Sequence, residues 1–255
     1  MWKIVQASTI GTSHLDTNSP CQDAYGVEVI PSNDSQQEYF VCIVSDGAGS
    51  AQFGGEGAQL ACSVALSRIK ESLSNTALDS LDNVIIHEWV KQIQQGIRET
   101  AHIGKSTVRE YACTLLGAII GWDSALFFQI GDGAIVASNS YAQGLVFYPD
   151  IGMYANMTYF VTEEDALSHL QVAITHARID EVALFTDGIQ NLAISLEQHI
   201  PHIPFFEPML HKIRTSSMDE CLVFNESLAQ FLNSASVNER TNDDKTLILA
   251  SRRSA

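Results

Sequence analysis

The sequence predicts an α+β fold, antiparallel sheets covered by helices, and three observations carry that expectation. Short runs rich in Val, Ile and aromatic residues, bounded by Gly, Pro, Asn and Asp, recur along the chain as strands do. Apolar residues at three- and four-residue steps mark long helices between these runs. The resulting order is strands, two helices, more strands, two helices and one strand, not the regular alternation of a parallel doubly wound sheet. A chain of 255 residues, 45% hydrophobic and 17% charged, buries a sizeable core in one large domain, expected to span residues 1–255.

The elements follow in order. "WKIVQAST", "AYGVEVI" and "YFVCIVS" read as the first three strands. Over residues 55–73 the period changes, with Ala58, Ala61, Cys62, Ala65, Leu66 and Ile69 on one helical face. A second helix is expected over 80–102, with Val84, Ile85, Trp89, Ile93 and Ile97 on its apolar face. Strands return in "YACTLLGAIIG", "SALFFQIGDGAIVASN" and "GLVFY", where Gly131-Asp132-Gly133 reads as a hairpin turn. Residues 149–170 have little periodicity and form an irregular excursion. "QVAITHA" and "EVALFTDG" resume strands, helices are expected at 205–214 and 218–233, and "DDKTLILAS" is the last strand. Trp2, Trp89 and Trp122 are assigned to the core. Gly54 and Gly55 are expected to turn the backbone and start the first long helix.

Charge narrows the function. Thirty acidic against 14 basic residues give a net charge of −16, a field that disfavours nucleic acid and anionic membrane as partners. An anionic substrate must then meet a locally positive site, and a bound metal ion supplies one where Lys and Arg are few. The five cysteines lack CxxC spacing and mostly sit in apolar runs, so they read as reduced, buried thiols. The N-terminal segment has no signal-peptide pattern, and no apolar stretch approaches membrane-spanning length. A cytoplasmic monomer is expected.

Carboxylates recur where strands meet loops. "YFVCIVS" runs into Asp46-Gly47, "EVALFT" into Asp187-Gly188, and "FFQIG" into Asp132-Gly133, while Asp23 and Asp243-Asp244 open the runs that follow them. One Asp before Gly is ordinary turn chemistry. Five at the ends of separate apolar runs suit a hard divalent cation, which takes oxygen ligands from several chain segments. The set holds no His or Cys, which argues against zinc. The seven histidines at 87, 102, 169, 176, 199, 202 and 211 form no metal-binding motif and read as structural or surface residues.

These motifs resemble the metal-dependent serine/threonine phosphatases of type 2C, and more narrowly a bacterial branch of them. The residues that carry the resemblance are Cys21-Gln22-Asp23-Ala24, Asp46-Gly47-Ala48-Gly49-Ser50, Gly131-Asp132-Gly133, Thr186-Asp187-Gly188 and Asp243-Asp244-Lys245-Thr246, in family order across nearly the whole chain. The resemblance implies a central sandwich of two antiparallel sheets flanked by helices. It also implies two Mg²⁺ or Mn²⁺ ions and a weaker third. Asp46 would bridge the two ions, the Gly47 carbonyl would bind one, Asp187 and Asp243 would complete the other, and Asp23 would hold metal-bound water. Asp132 matches the position serving a third ion, and residues 149–170 match a flap that sorts protein substrates. The activity implied is hydrolysis of phosphoserine and phosphothreonine in proteins by a metal-bridged water or hydroxide, with no covalent phosphoenzyme.

The chain also departs from the family pattern. Asn18 stands where an Arg often grips the phosphate, with His14 the nearest replacement, and Ala48 stands where eukaryotic members carry a His. Gln22 replaces an acid beside Asp23, and Asn191 replaces an Asp associated with the third ion. These departures motivate an alternative, a catalytically weak module that binds phosphorylated or signalling partners. A calcium-storage protein is disfavoured, because the contiguous D-x-[DN]-x-[DN]-G ligand loop is missing.

Overall fold

The computed structural model describes residues 1–32, 38–139, 141–148, 158–195 and 197–253. In chain order the elements are β1 (Lys3–Thr9), α1 (Thr12–Thr17), β2 (Asp23–Pro31), β3 (Glu38–Asp46), α2 (Gly54–Asn75), α3 (Asn83–Ile103), β4 (Leu115–Ile120), β5 (Ala125–Ile130), β6 (Ala134–Ser138) and β7 (Gln143–Leu145). There follow β8 (Gln171–Thr175), β9 (Glu181–Phe185), α4 (Gln190–Ala193), β10 (Ile194–Ser195), β11 (Ile200–Pro201), α5 (Ile203–Thr215), α6 (Met218–Leu232), α7 (Ala235–Asn238) and β12 (Lys245–Ser251). The class is the expected α+β, with two five-stranded antiparallel sheets and helices distributed over two compact units.

One unit comprises residues 22–132 and 149–178. Its sheet runs β2-β3-β4-β5-β8, and α2 packs on β2 and β3 while α3 packs on α2. The small residues Ala58, Ala61 and Ala65 on the buried face of α2 bring that helix close to the sheet. The buried stripe of α3 is Ile86, Trp89, Val90, Ile93 and Ile97, whereas Val84 is 73% exposed. The expected face therefore holds except at Val84. Asp82 caps the helix by accepting from the Ile85 N–H at 3.0 Å. Val84 thus lies in the first turn, two residues from Ile86 and so on the opposite side. Trp89 is buried as expected, edge-on to Phe128, with its indole N–H on Ser72 Oγ at 3.0 Å. Trp122 is not a core residue. It sits in the β4–β5 turn, 53% exposed, with the Arg178 guanidinium 4.2 Å above its ring.

The other unit comprises residues 1–21, 133–148 and 179–255. Its sheet runs β1-β12-β9-β6-β7. Val5, Ala7, Phe185, Leu247 and Leu249 share a core with Phe206, Leu210 and Ile213 of α5 and Leu228 and Leu232 of α6. Every residue of β9 and β12 is buried, which is why those strands read as unbroken apolar runs rather than as alternation. Trp2 is buried as expected. Glu181 of β9 is buried yet paired: Arg214 grips it bidentately at 2.7 and 2.8 Å, and Ser251 and Ser138 donate to it. Ser217 and Glu220 form a reciprocal capping box that starts α6.

Gly131-Asp132-Gly133 is not a hairpin turn. β5 pairs with β4 and β8, and β6 pairs with β7 and β9, so these residues carry the chain from one sheet to the other. Both glycines take positive φ, +94° and +88°, open to any tight turn, and only the pairing partners distinguish a crossover from a hairpin. Of the expected excursion at 149–170, residues 149–157 lie outside the described residues. From Thr158 onward it is anchored: Gln94 Nε2 donates to the Val161 and Glu163 carbonyls, and the Tyr159 ring stacks on His169.

All five cysteines are free thiols. Burial pushes the thiols of Cys42, Cys62 and Cys113 up, that of Cys113 to about 12, so none of these three is a thiolate near neutral pH. Among the described residues no helix is long and apolar enough to cross a membrane.

Candidate active site

The predicted carboxylates fall into two pairs, one in each unit. In the first, Asp23 opens β2 and Asp46 closes β3, and the register of the two strands sets them directly opposite each other. The backbone beneath Asp46 is fixed on both sides. Its N–H donates to Thr114 Oγ1 at 2.9 Å, and its carbonyl accepts from the Thr114 N–H at 2.8 Å. Ser45 Oγ donates to the Thr114 carbonyl at 2.5 Å. Beyond it, the Gly47 N–H donates to the Gln22 carbonyl at 3.1 Å, and the Ala48 N–H to the Ala112 carbonyl at 2.8 Å. The Gly47 α-carbon lies against the start of α2, where a β-carbon would sit 2.3 Å from the Gly54 carbonyl carbon. Gly54 and Gly55 open α2, the helix start expected of them.

In the second unit Asp187 follows β9 and Asp243 precedes β12, and these strands are neighbours. Thr186 joins them: its N–H donates to the Thr246 carbonyl at 3.2 Å, and its hydroxyl accepts from the Thr246 N–H at 3.1 Å. Gly188 then passes so close to the next strand that a β-carbon would stand 1.8 Å from the Asp244 carbonyl oxygen and 3.4 Å from Asp243 Cβ. A glycine is the residue that permits the chain just after Asp187 to pass Asp243 and Asp244 this closely. The Asp243 carboxylate accepts from the Asp244 N–H at 2.8 Å.

The remaining candidates are placed as follows. Asp132 accepts from the Thr158 hydroxyl at 2.5 Å, so the position expected to serve a third ion is tied to the first described residue after the 149–157 segment. His14 lies in α1, with Nδ1 2.8 Å from Asp244 Oδ2. Asn18 ends α1 in the left-handed conformation, φ 54°, its N–H on the Leu15 carbonyl at 3.2 Å. A residue in that cap is chosen for backbone conformation, which accounts for Asn where an Arg was expected. Asn191 is exposed on α4, and Ala48 is buried. Sequence reasoning gave no role to Thr114 or Thr158, and took Asp244 only as part of the Asp243-Asp244 motif. Thr114 left one signal, a hydroxyl at the start of the apolar run "LLGAII".

The donor chemistry fits hard divalent cations: four carboxylates and one backbone carbonyl, all oxygen. Two like charges directly opposite on neighbouring strands repel, as do two brought together across a glycine, and a cation relieves both. Among the described residues the carboxylates stand as pairs, and no three His, Cys, Asp or Glu side chains converge into a closed cluster.

Comparison with known proteins bears on the family and the fold. Residues 10–233 match the family described as protein phosphatase 2C. The chain is 42% identical over 249 residues to serine/threonine-protein phosphatase 3 of Escherichia coli (strain K12), covering 98% of each chain. Among solved structures, a bacterial serine phosphatase superposes with TM-score 0.62 at 14% identity, over 100% of this chain and 99% of that one. The catalytic domain of the serine threonine protein phosphatase PstP, solved with two manganese ions, superposes with TM-score 0.59 at 11% identity, over 98% and 97%. At those identities the two structures speak to the fold, and the two-sheet α+β architecture is the one they share.

Proposed function

The chain belongs to the protein phosphatase 2C family, and from that premise we propose that it hydrolyses phosphoserine and phosphothreonine in proteins with two Mg²⁺ or Mn²⁺ ions as cofactors. The observation that carries this reading is the retention of all four carboxylates, set in two adjacent pairs at strand ends. Asp46, the Gly47 carbonyl, Asp187 and Asp243 would hold the ions, with Asp23 acting through water and Asp132 serving a third. Two such cations, when bound, lower the pKa of water and offset the charge of the phosphoryl oxygens.

The chain's own residues do the positioning. The hydrogen bonds between the Asp46 backbone and Thr114 fix the main chain that carries the Asp46 carboxylate, and the Gly188 contact fixes the main chain just after Asp187. Such preorganisation is worth most where charge develops in the transition state. Residues 1–255 act as one catalytic domain in this reading, working as a monomer in a reducing, cytoplasmic compartment on signalling phosphoproteins. The thiols and the acidic net charge support the compartment and the lack of nucleic-acid partners.

The test is phosphate release from a phosphothreonine peptide by purified protein while Mn²⁺ is titrated in and then removed by a chelator. Turnover that follows the metal and disappears in Asp46→Asn supports the phosphatase. Metal binding without turnover would support instead the partner-binding module suggested by Asn18 and Ala48.

A further inference from the structure

The strongest unassigned feature is a buried carboxylate that belongs to neither pair. Asp244 is 2% exposed, and both of its oxygens are engaged by residues at the start of α1, its cap Gly11 and His14. Oδ1 accepts from the Gly11 N–H at 2.6 Å, and Oδ2 meets His14 Nδ1 at 2.8 Å. The two preceding residues are held by the same segment. The Ser13 N–H and hydroxyl both donate to the Asn242 carbonyl, at 3.0 and 2.7 Å. At Gly11 a β-carbon would stand 2.3 Å from the Asp243 carbonyl carbon. Residues 11–14 are therefore docked, residue by residue, on the loop that carries Asp243.

A carboxylate so deeply buried is kept only when it is well hydrogen-bonded. A backbone N–H already satisfies one oxygen. The other is spent on a histidine ring whose remaining nitrogen, Nε2, makes no hydrogen bond among the described residues. The ring is only 16% exposed, so its orientation is set by this contact. A histidine held at Nδ1 by a carboxylate presents Nε2 in one fixed direction, as second-layer carboxylates do for histidines that bind ligands.

We propose that Asp244 is a positioning residue that aims His14, and that His14 Nε2 makes a hydrogen bond to a phosphoryl oxygen of the substrate. This rests on the phosphatase reading above and deepens it, giving the chain a phosphate contact where Asn18 supplies none. Asp244 itself touches no substrate; it acts through the ring.

The experiment is a double-mutant cycle on His14→Ala and Asp244→Asn, read in two ways. The first readout is kcat and KM for a phosphothreonine peptide, and the second is calorimetric binding of inorganic phosphate in the presence of Mg²⁺. His14→Ala is expected to weaken phosphate binding and raise KM by about tenfold, the weight of one charge-assisted hydrogen bond. Asp244→Asn moves both quantities in the same direction by less, because the hydrogen bond from the Gly11 N–H survives. The double variant is no worse than His14→Ala alone, since Asp244 works only through the ring. His14→Gln, which keeps a donor, recovers part of the loss and covers the case in which His14→Ala does not fold.

Unchanged KM and phosphate affinity in both His14→Ala and His14→Gln overturn the proposal. So do effects of the two substitutions that simply add, because a purely structural Asp244 harms the enzyme whether or not His14 is present. A wild type without turnover defeats the phosphatase reading instead. The phosphate titration would still decide whether His14 holds the anion.

Discussion

The two carboxylate pairs solve one problem by different means. Asp23 and Asp46 are brought face to face by the register of β2 and β3, a ladder nine residues long that ends on them. Asp187 and Asp243 lie outside the ladder, one on a turn after β9 and one on the loop before β12. They are held by close backbone passage at Gly188 and by the Thr186 bonds to Thr246. The first pair inherits its geometry from regular structure, and the second owes it to packing. Each should therefore fail in its own way.

The largest effect is expected where the ligands themselves change. Asp46→Asn and Asp187→Asn should each lower metal-dependent turnover by about three orders of magnitude, or ~4 kcal/mol of transition-state stabilisation. A loss confined to one of the two would break the symmetry drawn between the pairs. Steady-state kinetics over a Mn²⁺ titration checks this.

Next comes the frame of the second unit. Arg214→Ala removes the bidentate partner of buried Glu181 and should cost about 3 kcal/mol in urea unfolding at neutral pH. The pH dependence has a defined sign. Burial pushes the Glu181 carboxyl up, but the hydrogen bonds from Arg214 and Ser251 and the charges of Arg214 and Arg253 outweigh it, leaving the group below its ordinary 4.5. Its contribution to stability is therefore present above pH 4.5 and is lost as the pH falls through the lower, folded-state value. Unfolding curves collected downward from neutral pH should show this loss in the wild type and not in Arg214→Ala.

Gly188→Ala sharpens the comparison itself. Its new methyl group meets the Asp244 carbonyl at 1.8 Å, so about 2 to 3 kcal/mol of stability should go, together with most activity. Gly144→Ala in β7, with nothing within 4 Å of the new methyl, should leave both nearly unchanged. The first pair should prove less sensitive to a single support. Thr114→Val leaves the Asp46 N–H without its side-chain acceptor, for about 1 to 2 kcal/mol, while the β2–β3 ladder still holds the carboxylates opposite each other.

That contrast also explains what could be read from the sequence. The strands were legible because β9 and β12 are buried throughout and β3 is buried from Phe40 to Ser45, so their central residues appear as apolar runs. The four paired carboxylates were legible because each stands at the edge of such a run. Tertiary choices left no local trace. Gly131-Asp132-Gly133 has the composition of a hairpin, and only long-range pairing makes it a crossover. Trp122 looks like core until its turn is placed and Arg178 is found above the ring. Val84 misled because the helical phase was counted without the Asp82 cap. Asp244 and His14 are 230 residues apart, so neither predicts the other.

The central claim is that each pair is a repulsive couple waiting for a cation, and it can be tested apart from catalysis. The measurement is the melting temperature of wild type and Asp46→Asn, in chelator and in Mg²⁺. Without metal, Asp46→Asn should be the more stable by about 0.5 to 1 kcal/mol, because it relieves the repulsion with Asp23. With metal the order should reverse, as the wild type alone gains binding energy. An Asp46→Asn protein that is less stable in chelator, and that gains as much from Mg²⁺ as the wild type, would contradict the account.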